Sequence, residues 1–397
     1  MKTSKKNKNN IKFDIIIVGG GPIGIAFACG FANTKIKVAI VDKLTKEAMV
    51  NPKIDGREIA LTQSSLKILE KLDVWKFIPK KFISPIKEAR VLDGESNYVL
   101  DFSHDQIQKE CLGYIIPNHL IRKSLYKRLK NLKNITLINN TECLSVSVNK
   151  NYATLKMSNG KKIKTSLVVA ADSRFSKMRS KMGISAYTRN FNKNMIVCRM
   201  KHEKSHKNIA YEFFRYNQTQ ASLPYIKNQS GIVTTGTKDL TSVLMKMNAK
   251  EFSEEMENNF GNFFGKMKLV GKRYSYPMIT TYAKKFTSHR FAVIGDAAVG
   301  MHPVTAHGFN LGLKGLDILN IEIKKALEKK VDIGIKDALK NYQSKLHRAA
   351  APVYLATNSI INLYTSNILP AKLTRQFILR FVNIVKPIKQ GFLNILK

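Results

Sequence analysis

Three glycines near the start of the chain stand at the spacing that a bound dinucleotide requires. An apolar run of strand length, residues 13–18, leads directly into Gly19, Gly21 and Gly24. Gly19 permits a tight turn, Gly21 lets the bare backbone approach a pyrophosphate, and Gly24 lets the following helix pack closely on the strand. A second short strand then ends at Asp42, which would accept hydrogen bonds from ribose hydroxyls. We predict a dinucleotide-binding unit; the alternative is a strand and turn that bind no nucleotide.

A second segment, 276 residues after Gly19, completes the pattern. A strand leads into Gly295 and Asp296, and His302 and Pro303 follow shortly after. Gly308 and Asn310 come next, at the start of a helical stretch. Taken together, the two segments indicate a flavin nucleotide as the ligand.

The lysine-rich start of the chain also resembles a secretory signal, because an apolar stretch follows five lysines. Asp14 at the head of that stretch, the glycines in its middle and the acid-terminated strand beyond it argue against cleavage. We therefore expect residues 1–12 to form a disordered basic leader on a cytoplasmic protein.

Length and composition fit a reduced, multidomain protein. The chain has 397 residues, 44% of them hydrophobic, which suggests about two domains. Its four cysteines are scattered in apolar surroundings and are expected to be reduced core residues. No uninterrupted apolar run approaches the roughly 18 residues needed to span a bilayer.

The order of these motifs resembles that of the single-component FAD-dependent aromatic hydroxylases, over residues 13–319. The family's arginine after the second strand corresponds to Arg57, which would lie over the flavin and its phosphates. Its middle acid corresponds to Asp172, a residue associated with FAD and with transient NAD(P)H contact. The usual glycine after that acid is Ser173 here, a departure that concerns nicotinamide handling more than FAD binding.

The resemblance also assigns roles to the late segment. Asp296 would bind the ribityl hydroxyls, and the helix beginning near Gly308 and Asn310 would direct its first N–H groups at the flavin pyrimidine ring. His302 and Pro303 would lie beside the reactive C4a edge. His307 replaces a frequent glutamine, either as an acid–base group or as a substitute in shape alone; Val299 replaces a frequent histidine.

The implied activity is that of a monooxygenase in which reduced FAD, supplied with electrons by NAD(P)H or a partner, activates dioxygen as a C4a-hydroperoxyflavin. Within the family the likeness is greatest to ubiquinone-biosynthesis hydroxylases of the demethoxyubiquinone type. It implies a polyprenylated phenol or quinol substrate, and other ubiquinone-biosynthesis proteins as partners. The alternatives are a prenyl-chain reductase of the same fold and a non-catalytic flavoprotein. A halogenase is disfavoured because Trp75 lies outside any W-x-W-x-x-P pattern.

The expected fold is α/β: a discontinuous, doubly wound (Rossmann-like) FAD-binding domain, a smaller mixed-sheet substrate domain and a helical C-terminal tail. The predicted boundaries are 13–75, 111–183 and 288–325 for the FAD-binding domain, 76–110 and 184–287 for the substrate domain, and 326–397 for the basic helical region. Aromatic residues on the strands of the substrate domain are candidates for lining its pocket, with core packing as the alternative. They are Phe213, Phe214, Pro224 and Tyr225.

His202 and His206 spell the H-E-x-x-H pattern of zinc proteases. That pattern binds zinc on a helix in an apolar setting, whereas here lysines surround it and strand-like runs flank it. We predict a charged loop and no metal site.

The chain carries 67 Lys and Arg against 28 Asp and Glu, a net charge of +39. The lysines are spread along the whole length without a recognition motif, which disfavours nucleic-acid binding. After residue 371, basic residues alternate with Phe, Leu and Ile. This tail is expected either to bind the anionic inner face of the membrane as a peripheral anchor or to cover a domain junction.

Overall fold

The structure is a computed structural model that describes residues 12–93, 99–215, 218–261, 263–302 and 307–365. Its helices are α1 (Pro22–Cys29), α2 (Lys46–Val50), α3 (Gln63–Lys71), α4 (Asn118–Leu129), α5 (Lys177–Lys181), α6 (Lys238–Lys246), α7 (Ala249–Asn259), α8 (His307–Glu328) and α9 (Lys336–Thr365). Its strands are β1 (Phe13–Val18), β2 (Val38–Val41), β3 (Glu58–Thr62), β4 (Ser84–Ile86), β5 (Glu88–Asp93), β6 (Val99–Ser103), β7 (Gly113–Pro117), β8 (Ile135–Ile138), β9 (Cys143–Val148), β10 (Ala153–Met157), β11 (Lys162–Ala170), β12 (Ala186–His202), β13 (Ile209–Arg215), β14 (Gln218–Pro224), β15 (Gln229–Thr237), β16 (Met267–Ala283), β17 (Thr287–Ser288), β18 (Phe291–Val293) and β19 (Val299–Gly300).

The first sheet is built on five parallel strands in the order β18-β11-β1-β2-β8. Strands β1 and β2 are almost continuously apolar and buried, as expected for parallel strands covered on both faces. Helix α1 packs between α4 and α8. The predicted doubly wound α/β fold is confirmed. The sequence pattern predicts a helical stretch from Ile23 to Asn33, but α1 ends at Cys29 because the chain turns from Gly30 onward and Asn33 takes a left-handed conformation (φ 59°).

The second sheet runs β19-β16-β12-β15-β14-β13-β5-β6 within the described residues. It is mixed, as predicted, because β5 pairs with β13 in parallel whereas its other pairs are antiparallel. Helices α6 and α7 cover one face through a cluster that includes Ile196 and Phe252. The opposite face, called here the inner face, packs against a third sheet, β3-β7-β4, through Ile115, Phe214 and Tyr225.

The sheets divide the chain much as the predicted domains do, with two exchanges. Strand β4 pairs with β7 at one edge of the third sheet, although the predicted boundaries place it in the substrate domain. Strand β19, from the last FAD segment, pairs with β16 of the second sheet. The domain boundaries themselves stay a prediction.

Helices α8 and α9 pack on each other, and α9 joins both main sheets. The hydroxyl of Tyr342 donates to the carbonyl oxygen of Val293 on β18 at 2.7 Å, and His347 lies 2.9 Å from the hydroxyl of Tyr282 on β16. The helical C-terminal region is confirmed as far as Thr365. The basic tail beyond it, and the leader up to residue 11, lie outside the described residues. In the part of the chain that is described, every helix is too short or too polar to cross a membrane.

Candidate flavin site

The glycine turn lies where β1 meets α1, and each of its glycines has a different environment. Gly19 has φ +111°, and a Cβ there would collide with the carbonyl of Ala171. A Cβ on Gly24 would collide in the same way with the carbonyl oxygen of Gly19. Gly21 differs, because a Cβ there would meet nothing within 4 Å. The turn therefore packs tightly on its inner side and leaves open space at Gly21, in front of the first turn of α1.

Asp42 lies at the end of β2, beside this turn. Its carboxylate accepts from the backbone N–H of Gly20 at 2.5 Å and of Leu44 at 2.7 Å. These bonds fix the carboxylate and leave lone pairs free, since two carboxylate oxygens can accept about four hydrogen bonds. The geometry suits the predicted contact with a ribose.

Asp172 and Asp296 follow the neighbouring parallel strands β11 and β18, so the sheet places them at the same edge as the glycine turn. One oxygen of Asp172 accepts from the N–H of Met178 at 3.2 Å. The other, Oδ1, is buried without a partner among the described residues. Asp296 pairs with Arg174 at 3.1 Å and keeps 42% of its side chain exposed. Both carboxylates can therefore accept hydrogen bonds from a ligand.

Gly295 brings the late motif onto the first turn of α1. It has φ +59°, and a Cβ there would lie 3.1 Å from Ile23, the residue before Gly24. Gly312 on α8 packs against the same isoleucine. The two segments that the sequence analysis combined are therefore in contact.

Arg57 projects from the loop before β3 onto the second sheet. Its guanidinium pairs with Asp55 and lies 5.6 Å from the centre of the Tyr276 ring. Tyr276 in turn donates to the backbone carbonyl of Asp55 at 2.7 Å, and Asn118 donates to the Asp55 carboxylate at 2.7 Å. The arginine is 44% exposed, so its charge is available beside the junction of the sheets.

His302 is buried, and its ring meets that of Phe191 edge-on at 5.1 Å. Burial, followed by the charges of Lys193, Arg174 and Arg189, lowers its pKa to about 3. The imidazole is neutral at physiological pH. Strand β12 is irregular here, since its register shifts between Asn190 and Asn194 and Asn192 has φ +54°. Pro303 lies outside the described residues.

The start of α8 carries the three remaining predicted residues. His307 is half-buried at its first position. A Cβ on Gly308 would be in ordinary contact with Met301 at 3.7 Å. Asn310 donates to the carbonyl of Ala60 at 2.8 Å and accepts from the N–H of Thr62 at 3.1 Å. Its side chain thus positions α8 against β3, and a direct contact with the cofactor stays a prediction for all three residues.

The comparisons with known proteins identify the family. Residues 12–355 match the family model described as an FAD binding domain. The ubiquinone hydroxylase UbiM of Neisseria meningitidis is 39% identical, covering 95% of this chain and 83% of that protein. The ubiquinone hydroxylase UbiL of Rhodospirillum rubrum is 32% identical, covering 96% and 88%. The chain belongs to the FAD-dependent hydroxylases.

Solved structures show the same fold at low sequence identity. The p-nitrophenol 4-monooxygenase of Pseudomonas putida superposes with a TM-score of 0.78 at 13% identity, covering 97% of each chain. The structure of pqsL from Pseudomonas aeruginosa, described as a probable FAD-dependent monooxygenase, gives a TM-score of 0.73 at 14% identity, covering 96% of this chain and 99% of that chain. The resemblance predicted from the motifs is confirmed.

The residues of this hydroxylase fit FAD at the edge of the first sheet. The space in front of Gly21 is the cradle that a side chain would fill, and the orphaned oxygen of Asp172 is a buried acceptor in need of a donor. The phosphates of FAD would occupy the space in front of Gly21. A hydroxyl group of FAD would donate a hydrogen bond to a buried carboxylate such as that of Asp172.

One of the predicted pocket candidates lies on the other face of the second sheet. Phe213 faces α7, with its ring 5.2 Å from that of Phe260, so it does not line the inner face; Phe214 and Tyr225 do. In the H-E-x-x-H segment, where the sequence predicts a charged loop, both histidines are buried, and each contacts a polar atom of a neighbouring segment. His206 contacts the carbonyl of Tyr225 at 2.7 Å, and His202 contacts Ser230 at 3.0 Å.

Sequence reasoning missed one polar pair of the hydroxylase. Glu58 on β3 and Arg199 on β12 form an ion pair at 2.5 Å, with the Glu58 side chain only 3% exposed. Burial raises the pKa of Glu58, although Arg199 opposes the shift. Glu58 directly follows Arg57, but no local signal predicts a partner 141 positions away.

Proposed function

We propose that this protein hydroxylates the aromatic ring of a polyprenylated phenol or quinol in ubiquinone biosynthesis, with NAD(P)H as the electron donor. The observation that carries the proposal is the meeting of the glycine turn, Asp172 and Asp296 at one sheet edge, together with relatives named as ubiquinone hydroxylases. Bound FAD would supply the oxygen chemistry, because reduced flavin activates dioxygen.

The protein's part is to bind, orient and exclude water. The N–H groups of α1 would hold the pyrophosphate, Asp42 a ribose and Asp296 the ribityl chain. His302 would contribute a neutral imidazole beside the ring, since its pKa is lowered to about 3 and it cannot donate a second proton at neutral pH. The inner face of the second sheet, lined by apolar side chains that include Phe214 and Tyr225, would exclude water from the reacting ring.

The cofactor part of the proposal is tested with Asp296→Ala. We expect the purified variant to lose FAD and its yellow colour, whereas Asp239→Ala at the exposed start of α6 retains both. A variant at position 296 that keeps its full flavin content would contradict the assignment.

The reaction itself is tested by oxygen uptake with a short-chain quinol and either NADH or NADPH. A hydroxylase consumes oxygen and NAD(P)H in step with the formation of hydroxylated product. A prenyl-chain reductase would instead consume NAD(P)H without oxygen, and a non-catalytic flavoprotein would oxidise no NAD(P)H with any quinol. These three results separate the proposal from both alternatives.

We also propose that the basic tail binds an anionic membrane surface, where a polyprenylated substrate is found. The support is the alternation of Lys and Arg with Phe, Leu and Ile after residue 371. Truncation after Pro370 should abolish co-sedimentation with anionic vesicles and leave FAD content unchanged. Equal sedimentation of both forms would contradict this role.

A further inference from the structure

The ion pair between the buried Glu58 side chain and Arg199, which is 28% exposed, leaves one buried acceptor and one buried donor unused. The pair is joined end-on, by a single contact of 2.5 Å between Arg199 Nη2 and Glu58 Oε1. Glu58 Oε2 and Arg199 Nε are both buried, and neither has a partner among the described residues. A side-on pair would have used both oxygens and both nitrogens. Leaving such atoms unpaired in the interior costs stability unless something else binds them.

The pair lies between the third sheet and the inner face of the second sheet. Glu58 lies over Gly231 of β15, where a Cβ would come within 2.6 Å of its Cγ. The Arg199 guanidinium lies 4.0 Å from the centre of the Tyr225 ring, which belongs to the apolar cluster of this face. A glycine and an aromatic ring therefore border the pair, and Asp55 is close enough for its charge to contribute to the raised pKa of Glu58.

The pair is also close to the expected position of the flavin. Glu58 precedes Ala60 by two residues, and Ala60 accepts the hydrogen bond from Asn310 in the first turn of α8. Two residues of a strand span about 7 Å, roughly the length of one aromatic ring with its substituents. The predicted flavin contact, Arg57, is the neighbouring residue of the chain. A ring held by the pair would thus lie next to the cofactor site.

We propose that Glu58 and Arg199 bind adjacent oxygen substituents on the ring of the substrate. Glu58 Oε2 accepts a hydrogen bond from a ring hydroxyl, and Arg199 Nε donates to the oxygen beside it, whether ether or hydroxyl. A ring with a hydroxyl next to a methoxy group offers one donor and one acceptor on adjacent ring carbons of an otherwise apolar body. The pair then determines which substituted rings are accepted. This inference rests on the proposed function, because it names the feature of the substrate that the same site recognises.

The test uses the FAD-loaded protein and two small ligands that differ in one donor. 2-Methoxyphenol carries a hydroxyl beside a methoxy group, whereas 1,2-dimethoxybenzene carries two ethers and no donor. Their dissociation constants are measured by calorimetry and by the change in flavin absorbance. For the wild type we expect 2-methoxyphenol to bind about tenfold to a hundredfold more tightly, the range of a hydrogen bond to a charged group.

The deciding variant is Glu58→Gln, which keeps the size and the bond to Arg199 but places an amide N–H₂ where Oε2 was. The preference for 2-methoxyphenol should disappear or reverse. Glu88→Gln is the matched control, because Glu88 and Arg90 form a similar pair at 2.7 Å that is half exposed on the same sheet. Its preference should equal that of the wild type.

Arg199→Lys gives a second measurement in case Glu58→Gln folds poorly. Lysine keeps a cation for Glu58 but has no second donor nitrogen at the position of Arg199 Nε, so 2-methoxyphenol should lose any advantage over phenol that its methoxy oxygen provides. If the pair is purely structural, or holds only ordered water, the substitutions would lower stability but leave the preference for 2-methoxyphenol over 1,2-dimethoxybenzene and over phenol unchanged. That result would overturn the inference. Failure of the wild type to bind either ligand would overturn it too. Normal quinol-dependent oxygen uptake with unchanged preferences would refute this inference alone, whereas absent uptake with altered preferences would refute only the proposed function.

Discussion

Asn310 donates its side-chain amide to the carbonyl oxygen of Ala60 at 2.8 Å, joining residues 250 positions apart. The same side chain accepts from the N–H of Thr62 at 3.1 Å. One side chain therefore makes the two bonds that a neighbouring strand would make with this edge of β3. The contact fixes the first turn of α8, which is expected to face the flavin, against the strand that carries Glu58. This amide thus connects the start of α8 with the strand that carries Glu58.

Removing this amide should affect both stability and cofactor binding. Asn310→Ala leaves one carbonyl and one N–H of β3 without these partners, so we expect a loss of about 1–3 kcal/mol in the free energy of unfolding. FAD should also bind more weakly, because α8 loses its position. Denaturant unfolding and FAD titration measure the two effects. Asn131→Ala, at the exposed end of α4, is the control; equal stability of the two variants would show that the bonds to β3 contribute nothing.

Gly21 and Gly24 should respond differently to the same substitution. Gly24→Ala places its Cβ against the carbonyl oxygen of Gly19, so the apoprotein should lose stability or fail to fold. Gly21→Ala meets nothing within 4 Å and should fold with an unchanged melting temperature. Its methyl group would occupy the space expected for the pyrophosphate, so FAD affinity should fall at least about tenfold. Full FAD affinity in folded Gly21→Ala would place the phosphates elsewhere.

Ser173 adopts a backbone conformation that favours glycine. Its φ is +117°, and it stands directly after Asp172, where the family resemblance predicts a glycine. A side chain there is strained by about 1–3 kcal/mol. We expect Ser173→Gly to raise the free energy of unfolding by about 1 kcal/mol, after the greater entropy of glycine in the unfolded chain is subtracted. Thermal and denaturant unfolding measure this; a lower stability than the wild type would mean that the Ser173 side chain makes a stabilising contact.

The sequence was sufficient to predict those parts of the site that depend on the order of elements along the chain. A buried strand, a glycine turn, a helix and an acid-terminated strand follow one another directly, and parallel pairing then brings Asp172 and Asp296 to the same edge. It was insufficient where the outcome depends on which face of a strand is covered. Phe213 and Phe214 are adjacent, so they must point to opposite faces. Composition alone could not show that α7 covers Phe213 and that the third sheet covers Phe214.

Long-range polar pairs were equally beyond sequence reasoning. Asn310 was singled out for the cofactor because it follows the late glycines, but its partners on β3 are set by how α8 crosses that strand. Glu58 and Arg199 become neighbours only when the third sheet packs on the inner face of the second. Each carries an ordinary charge in the sequence, and only burial makes the pair chemically unusual.

The buried imidazole of His302 should make the protein sensitive to acid. Its pKa is about 3 in the folded state and near 6.5 when unfolded, so the unfolded chain binds the proton first as the pH falls. The stability that comes from the neutral ring is fully present above about pH 6.5 and is lost as the pH falls towards 3. The loss approaches about 5 kcal/mol at the lower limit.

His302→Gln should remove this component, since glutamine does not titrate. Denaturant unfolding of the FAD-loaded protein, measured between pH 7 and pH 4, should then show a shallower decline for the variant than for the wild type. The matched control is His289→Gln, which removes an imidazole that contacts the carbonyl of Asn149 near the surface, away from this site. Equal slopes for His302→Gln and the wild type would mean that the ring at position 302 takes up its proton without unfolding, and that the site opens to water in acid.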